Sequence, residues 1–141
     1  MKKAFLFLLT AGLLGGSLWA DEPFRKHRYD QFKVLPPAEG SIVFVGNSIT
    51  DMHPWVETFR TTDGQSLPIV NRGNSGTYST EQSDNLESYL ANRPKKLFLM
   101  IGTNDIATNG LNYTGEQVLA QVQAMVKHVH LRSPQTKVYL Y

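Results

Sequence analysis

Three short segments bring together residue types suited to acyl transfer: Gly46-Asn47-Ser48-Ile49-Thr50, Asn71-Arg72-Gly73-Asn74-Ser75-Gly76 and Gly102-Thr103-Asn104-Asp105. A serine hydroxyl is a candidate nucleophile. Backbone N–H groups and an Asn amide are candidate donors to the oxyanion that forms when a carbonyl is attacked. Glycines let the backbone turn sharply or approach a substrate closely. Taken singly, each segment is an ordinary polar turn. The first is not the Gly-x-Ser-x-Gly nucleophile elbow, because Thr50 stands in the place of the second glycine. Asn71, Ser75 and Asp105 also have a simpler use, satisfying backbone groups of their own loops.

What gives the three segments weight is the elements that precede them. Ser41–Val45 is a short β-rich run without polar alternation, as expected of a strand buried on both faces. Leu67–Val70 and Leu97–Ile101 read as further strands, and Lys137–Tyr141 as the start of a fourth. Helices are expected over His53–Arg60, over Thr80–Asn92, and over Thr114–Leu131. In the last, Thr114 and Gln117 form a capping box, and Val118, Leu119, Val122, Met125, Val126 and Val129 form an apolar stripe. Residues 21–40 read as a lead-in helix or coil stopped by Pro36-Pro37. Strands alternating with helices predict a parallel sheet with helices on both faces, a three-layer α/β/α domain. Ligands of such sheets sit beyond the carboxyl ends of the strands, and all three polar segments begin there.

Three blocks in this order, each after a predicted strand, resemble the SGNH (GDSL-like) hydrolases. Val43 through Thr50 resembles block I, Asn71 through Gly76 block II, and Gly102 through Asp105 the characteristic block III; together the resemblance spans about residues 41–141. It implies a flavodoxin-like fold and a serine esterase. It further implies that Ser48 is the nucleophile, with its own N–H as one oxyanion donor. The Gly76 N–H would be a second donor and the Asn104 amide a third, with Gly73 a turn residue. Asn47 departs from the family's usual Asp, a change expected to tune activity, and Thr77 stands where Asp is common. The family's catalytic Asp and His belong to a later Asp-x-x-His block. The 141 residues contain none, so the domain reads as C-terminally incomplete and, by itself, as inactive and poorly soluble. His53, five residues after Ser48, is a weak alternative base; it more simply sits at a pocket rim or helix start. His128 and His130 are expected to stabilise a helix C-terminus far from Ser48. Trp55 and Tyr78 are candidates for a pocket wall but are more simply packing residues.

Composition narrows the setting. Lys2-Lys3, the apolar run Ala4–Leu14 and Ala20 before Asp21 have the order of a secretory signal peptide over residues 1–20. The run is short for a membrane span, which needs about 20 residues. The protein is therefore expected to be exported, periplasmic or secreted, with no stable membrane span after cleavage. There is no Cys, hence no disulfide framework or lipoprotein cysteine. Removing two lysines from 14 Lys+Arg leaves 12 against 12 Asp+Glu, a mature charge near zero. With no basic stripe and no zinc spacing, no nucleic-acid partner, metal or cofactor is expected. The expected substrate is a small or carbohydrate ester, an acetylated glycan in particular. The rival is a non-catalytic glycan-binding domain that retained the pocket and lost the base. Oligomeric state is not legible.

Overall fold

The computed structural model describes residues 22–107 and 113–141, so the signal-peptide reading of residues 1–20 lies outside the described residues. Four strands, β1 (Ile42–Gly46), β2 (Ile69–Gly73), β3 (Lys96–Met100) and β4 (Lys137–Leu140), form one sheet in the order β2-β1-β3-β4. Every pairing is parallel, with Val45 opposite Arg72 on one side and Leu99 on the other. β1 is central, and Val43, Phe44 and Val45 are buried, as a run without polar alternation requires.

Successive side chains of a strand face opposite ways, so each strand splits its residues between two layers. Val43, Val45, Leu97 and Leu99 face a core shared with Tyr29 and Phe32 of α1 (Glu22–Val34), Leu86, Tyr89 and Leu90 of α5 (Leu86–Leu90), and Met125 and Val129 of α7 (Gly115–Arg132). Phe44 and Phe98 face the other way. They stack at 4.7 Å, and Phe44 also stacks on Trp55 of α3 (Trp55–Thr58) at 3.9 Å. α2 (Ser48–Asp51), α4 (Ser79–Asp84) and α6 (Thr103–Ala107) are short and follow β1, β2 and β3. The domain is therefore α/β with a wholly parallel sheet and helices flanking it.

Local chemistry explains the elements that match expectation and those that do not. Thr114 and Gln117 close their capping box at 3.2 and 2.8 Å, and the long helix starts where the sequence predicts. The single helix expected over Thr80–Asn92 is instead two, α4 and α5, broken at Asn85. The Asn85 amide donates back to the Glu81 carbonyl at 2.8 Å, and the Ser88 hydroxyl donates to the Asn85 carbonyl at 2.7 Å; these side-chain bonds compete with the helical ladder. β2 runs further than the apolar run Leu67–Val70, because Asn71, Arg72 and Gly73 pair with Phe44, Val45 and Gly46. The first half of block II is thus strand rather than loop. Residues 22–34 are a regular helix, packed into the core by Tyr29 and Phe32.

Candidate active site

Ser48 is the first residue of α2, directly beyond the carboxyl end of β1. Asn47 is the N-cap: it is 1 % exposed and its Oδ1 accepts the Ile49 N–H at 3.0 Å. Asn and Asp cap helices about equally well, so the departure from Asp leaves this turn intact. Gly46 is dictated by crowding. A Cβ there would stand 2.1 Å from Thr50 Oγ1 and 2.5 Å from the Met100 carbonyl. The Ser48 hydroxyl is half-buried, and among the described residues nothing hydrogen-bonds to it.

The second and third loops are tied to the first by hydrogen bonds. Asn74 N–H and the fully buried Gln82 amide both donate to the Gly46 carbonyl, at 2.9 and 2.6 Å. The Asn104 amide donates to the Thr77 carbonyl at 2.8 Å, joining α6 to the turn after Gly76. Gly76 itself has φ 77°, the left-handed region that glycine enters without steric penalty. Among the described residues, neither the Ser48 nor the Gly76 N–H has an acceptor; for Ser48 this follows from its place in the first turn of a helix. Gly73 is not a turn residue as the resemblance implies. It ends β2, and a Cβ there would meet the Asp51 nitrogen at 2.2 Å, so it is glycine to admit α2.

The remaining polar residues of the blocks brace this assembly. Asn71 donates to the carbonyls of Thr50 and Asp51 at 3.1 and 3.0 Å and accepts the Gly73 N–H at 2.8 Å. Asp105 is fully buried. Its two carboxylate oxygens accept the Ser79 N–H at 3.1 Å each, and one accepts the Ser79 hydroxyl at 2.5 Å. These are the backbone-satisfying roles that Asn71 and Asp105 have on the simpler reading. Trp55 donates its indole N–H to the Thr50 carbonyl at 2.8 Å and stacks on the sheet, a packing role. The groove of about 340 Å³ that it lines with Phe44, Phe59 and Phe98 reaches down to Ile42, Ile69 and Lys96, the first residues of their strands, away from the block loops.

Sequence reasoning overlooked four contributors: Arg25, Arg28, Tyr29 and Gln82. Arg28 pairs with Asp51 at 2.9 Å, the Tyr29 hydroxyl bonds the Thr77 hydroxyl, and the Arg25 carbonyl accepts the Asn74 amide at 2.9 Å. Burial pushes the Tyr29 phenol far above its ordinary range, so it is protonated at any physiological pH. The signal for the α1 residues was their spacing: Arg25, Arg28, Tyr29 and Phe32 recur at helical intervals of three and four.

The histidines lie elsewhere. His53 is exposed, with its ring nitrogen on the Thr58 hydroxyl at 2.9 Å and its ring against Trp55. His27 contacts Gln31, and His128 contacts Glu87 at 2.6 Å. His130 is exposed near the end of α7. Among the described residues, no group of three or more His, Asp or Glu is arranged to hold a metal ion, and no helix is long and apolar enough to cross a membrane.

Comparison with protein-family models and with curated proteins gives no match. Comparison with solved structures does. A protein from Streptococcus pneumonia, provisionally assigned as a platelet activating factor, is similar with a TM-score of 0.68 and 28% identity over 84% of this chain and 54% of its own. A GDSL-like lipase from Bacteroides thetaiotaomicron has a TM-score of 0.62 and 25% identity over 82% of this chain and 56% of its own. An acetylxylan esterase from Geobacillus stearothermophilus shares the fold, with a TM-score of 0.50 and 24% identity over 74% and 60%. The chain thus spans little more than half the length of the structures it matches.

Proposed function

We propose that this chain, whose fold and loop blocks are those of the SGNH (GDSL-like) hydrolases, is the serine-bearing portion of a carboxylic ester hydrolase. Ser48 attacks the ester carbonyl, its alkoxy group leaves, and water later releases the acyl group from Ser48. The oxyanion is received by the N–H groups of Ser48 and Gly76 and by the Asn104 amide. Donors fixed in advance stabilise that charge without reorganising. The observation that carries this reading is that three segments beyond one end of the sheet, tied to one another by hydrogen bonds, hold a serine hydroxyl and two N–H groups without partners among the described residues.

A general base is needed as well, and none of the four histidines contacts Ser48. In the family that the chain resembles the base is a His held by an Asp in an Asp-x-x-His block, and the 141 residues contain no such block. Without it, losing triad members leaves at best about 10³–10⁴-fold acceleration over water. The block wording favours an acetyl ester on a glycan or small molecule. The basic, then apolar, N-terminal residues favour export, to the periplasm or outside.

In a chain that carries an Asp-x-x-His block, a fluorophosphonate probe should label Ser48, and Ser48→Ala should abolish p-nitrophenyl acetate hydrolysis. Labelling at Ser75 or Ser79 would refute the assignment. That no histidine hydrogen-bonds to Ser48 among the described residues favours a second reading, a glycan-binding domain without turnover. On that reading glycan binding persists in both parent and Ser48→Ala, and the probe labels neither.

A further inference from the structure

The ester-hydrolase reading makes the Gly76 N–H an oxyanion donor, and the inference here rests on that reading. We propose that Asp51 is a positioning residue that sets Gly76 against Ser48, with Arg28 of α1 holding Asp51 in turn. Asp51 ends the short helix that Ser48 begins. Its N–H donates to the Asn47 carbonyl at 2.9 Å, so one helical turn links it rigidly to the nucleophile. Its Oδ2 accepts both the Ser75 N–H at 3.1 Å and the Ser75 hydroxyl at 2.7 Å. Ser75 is the immediate neighbour of Gly76. The connection from nucleophile to donor is therefore one turn of helix, two hydrogen bonds and one peptide unit.

Both ends of that connection are braced. The Asn71 amide holds the Thr50 and Asp51 carbonyls, so α2 cannot shift away from the sheet when the carboxylate is changed. On the other side, Arg28 Nη2 lies 2.9 Å from Asp51 Oδ1 and 3.5 Å from the Gly73 carbonyl, with its guanidinium over the Phe32 ring at 5.0 Å. The carboxylate is charged, mostly buried and bound on both oxygens, the arrangement in which hydrogen bonds are short and directional. Removing it strands Ser75 and frees the Ser75–Gly76 corner to move relative to Ser48. A displacement of about 1 Å at a catalytic contact costs on the order of 100-fold in rate. The loop keeps its other ties, from Asn74 to the Gly46 carbonyl and from Tyr29 to Thr77, so the domain should still fold.

The test compares full-length parent, Asp51→Asn, Asp51→Ala and Arg28→Met. Asp51→Asn keeps one acceptor and should melt close to the parent. Its kcat for p-nitrophenyl acetate should fall about 10- to 100-fold with KM nearly unchanged, since the loss is of transition-state contact. Arg28→Met should fall less, in the same direction. The Gly76 amide resonance should shift in both Asp51 variants, and its hydrogen exchange should quicken at least about tenfold. An unchanged Gly76 resonance and exchange rate in Asp51→Ala, or in Asp51→Asn if the alanine variant does not fold, overturns the proposal. So does an unchanged kcat in an active enzyme. A parent with no Ser48-dependent turnover would defeat the esterase reading instead, and the Gly76 measurements would still decide whether Asp51 positions that loop.

Discussion

Replacing Asp105 with Ala should unfold the junction between the second and third loops, and the size of the effect follows from the contacts. Asp105 and Ser79 are both fully buried. The carboxylate is the acceptor for the Ser79 N–H and hydroxyl, which open α4. Without it, two donors are left where water does not reach. A hydrogen bond to a charged group contributes about 1.5–3 kcal/mol, and a stranded buried donor costs about 1–3 kcal/mol. These describe overlapping losses, so about 3–4 kcal/mol is expected rather than their sum, a large share of a total stability of about 5–15 kcal/mol. At about 4 °C per kcal/mol for a domain of this size, Tm should fall by about 12–16 °C. Asp105→Asn keeps a neutral acceptor and should lose less than half of that. Adding Ser79→Ala to Asp105→Ala removes the stranded hydroxyl and should recover about 1 kcal/mol. Urea and thermal unfolding followed by circular dichroism measure all three variants against the parent. If Asp105→Ala melts within about 2 °C of the parent, the capping argument is wrong. If Asp105→Asn melts normally and is catalytically dead, Asp105 has a chemical role that the geometry does not explain.

In an active full-length enzyme, Asn104→Ala should lower kcat by about 10²–10³ with little change in KM, as for loss of one oxyanion donor; an unchanged kcat would mean that the amide serves only the Thr77 carbonyl. Gly46→Ala should destabilise by about 1–3 kcal/mol, because its Cβ has no room beside Thr50 and Met100; a normal urea midpoint would show that α2 can yield. Burial raises the pKa of Tyr29 and of Tyr89 in the folded chain, so both phenols favour folding below the unfolded value near 10 and lose that contribution as pH rises through their folded values. Stability should therefore decline above about pH 10, by about 1.4 kcal/mol per pH unit for each tyrosine; Tyr29→Phe should halve the slope, and an unaltered slope measured by urea titration would refute the assignment.

The position of the candidate site in the fold was readable in the sequence. Gly46 ends β1, and Ser48, Gly76 and Asn104 lie just beyond the carboxyl ends of β1, β2 and β3, which alternation of apolar runs with helical periods locates. β1 and α7 were legible for the same reason: one is an uninterrupted apolar run and the other carries its own capping box. The polar half of β2 was not, since Asn71 and Gly73 have turn propensity and only α2 packing against them makes strand the better state. The break at Asn85 depends on side-chain bonds that periodicity does not register. The contribution of α1 was invisible for a different reason. Arg25, Arg28 and Tyr29 look like an ordinary exposed helix face, and their partners at Glu81, Asp51 and Thr77 lie 56, 23 and 48 residues away.

Those separations bear on the order in which the molecule is assembled. Contacts distant along the chain carry a larger loop-closure entropy and form late unless strong apolar burial rewards them. β1 can find β2 and β3 by burying Val43, Phe44 and Val45, but the turn around Gly76 is polar and completes its ties, to Tyr29 and the Arg25 carbonyl, only when α1 docks across it. Opening of the polar turn is therefore expected to cost less than opening of the apolar core. The sheet can be native while the Gly76 turn is still unformed. A lesion on the polar face of α1, at Arg25 or Arg28, should leave a protein with native helix and strand content whose Gly76 turn forms slowly.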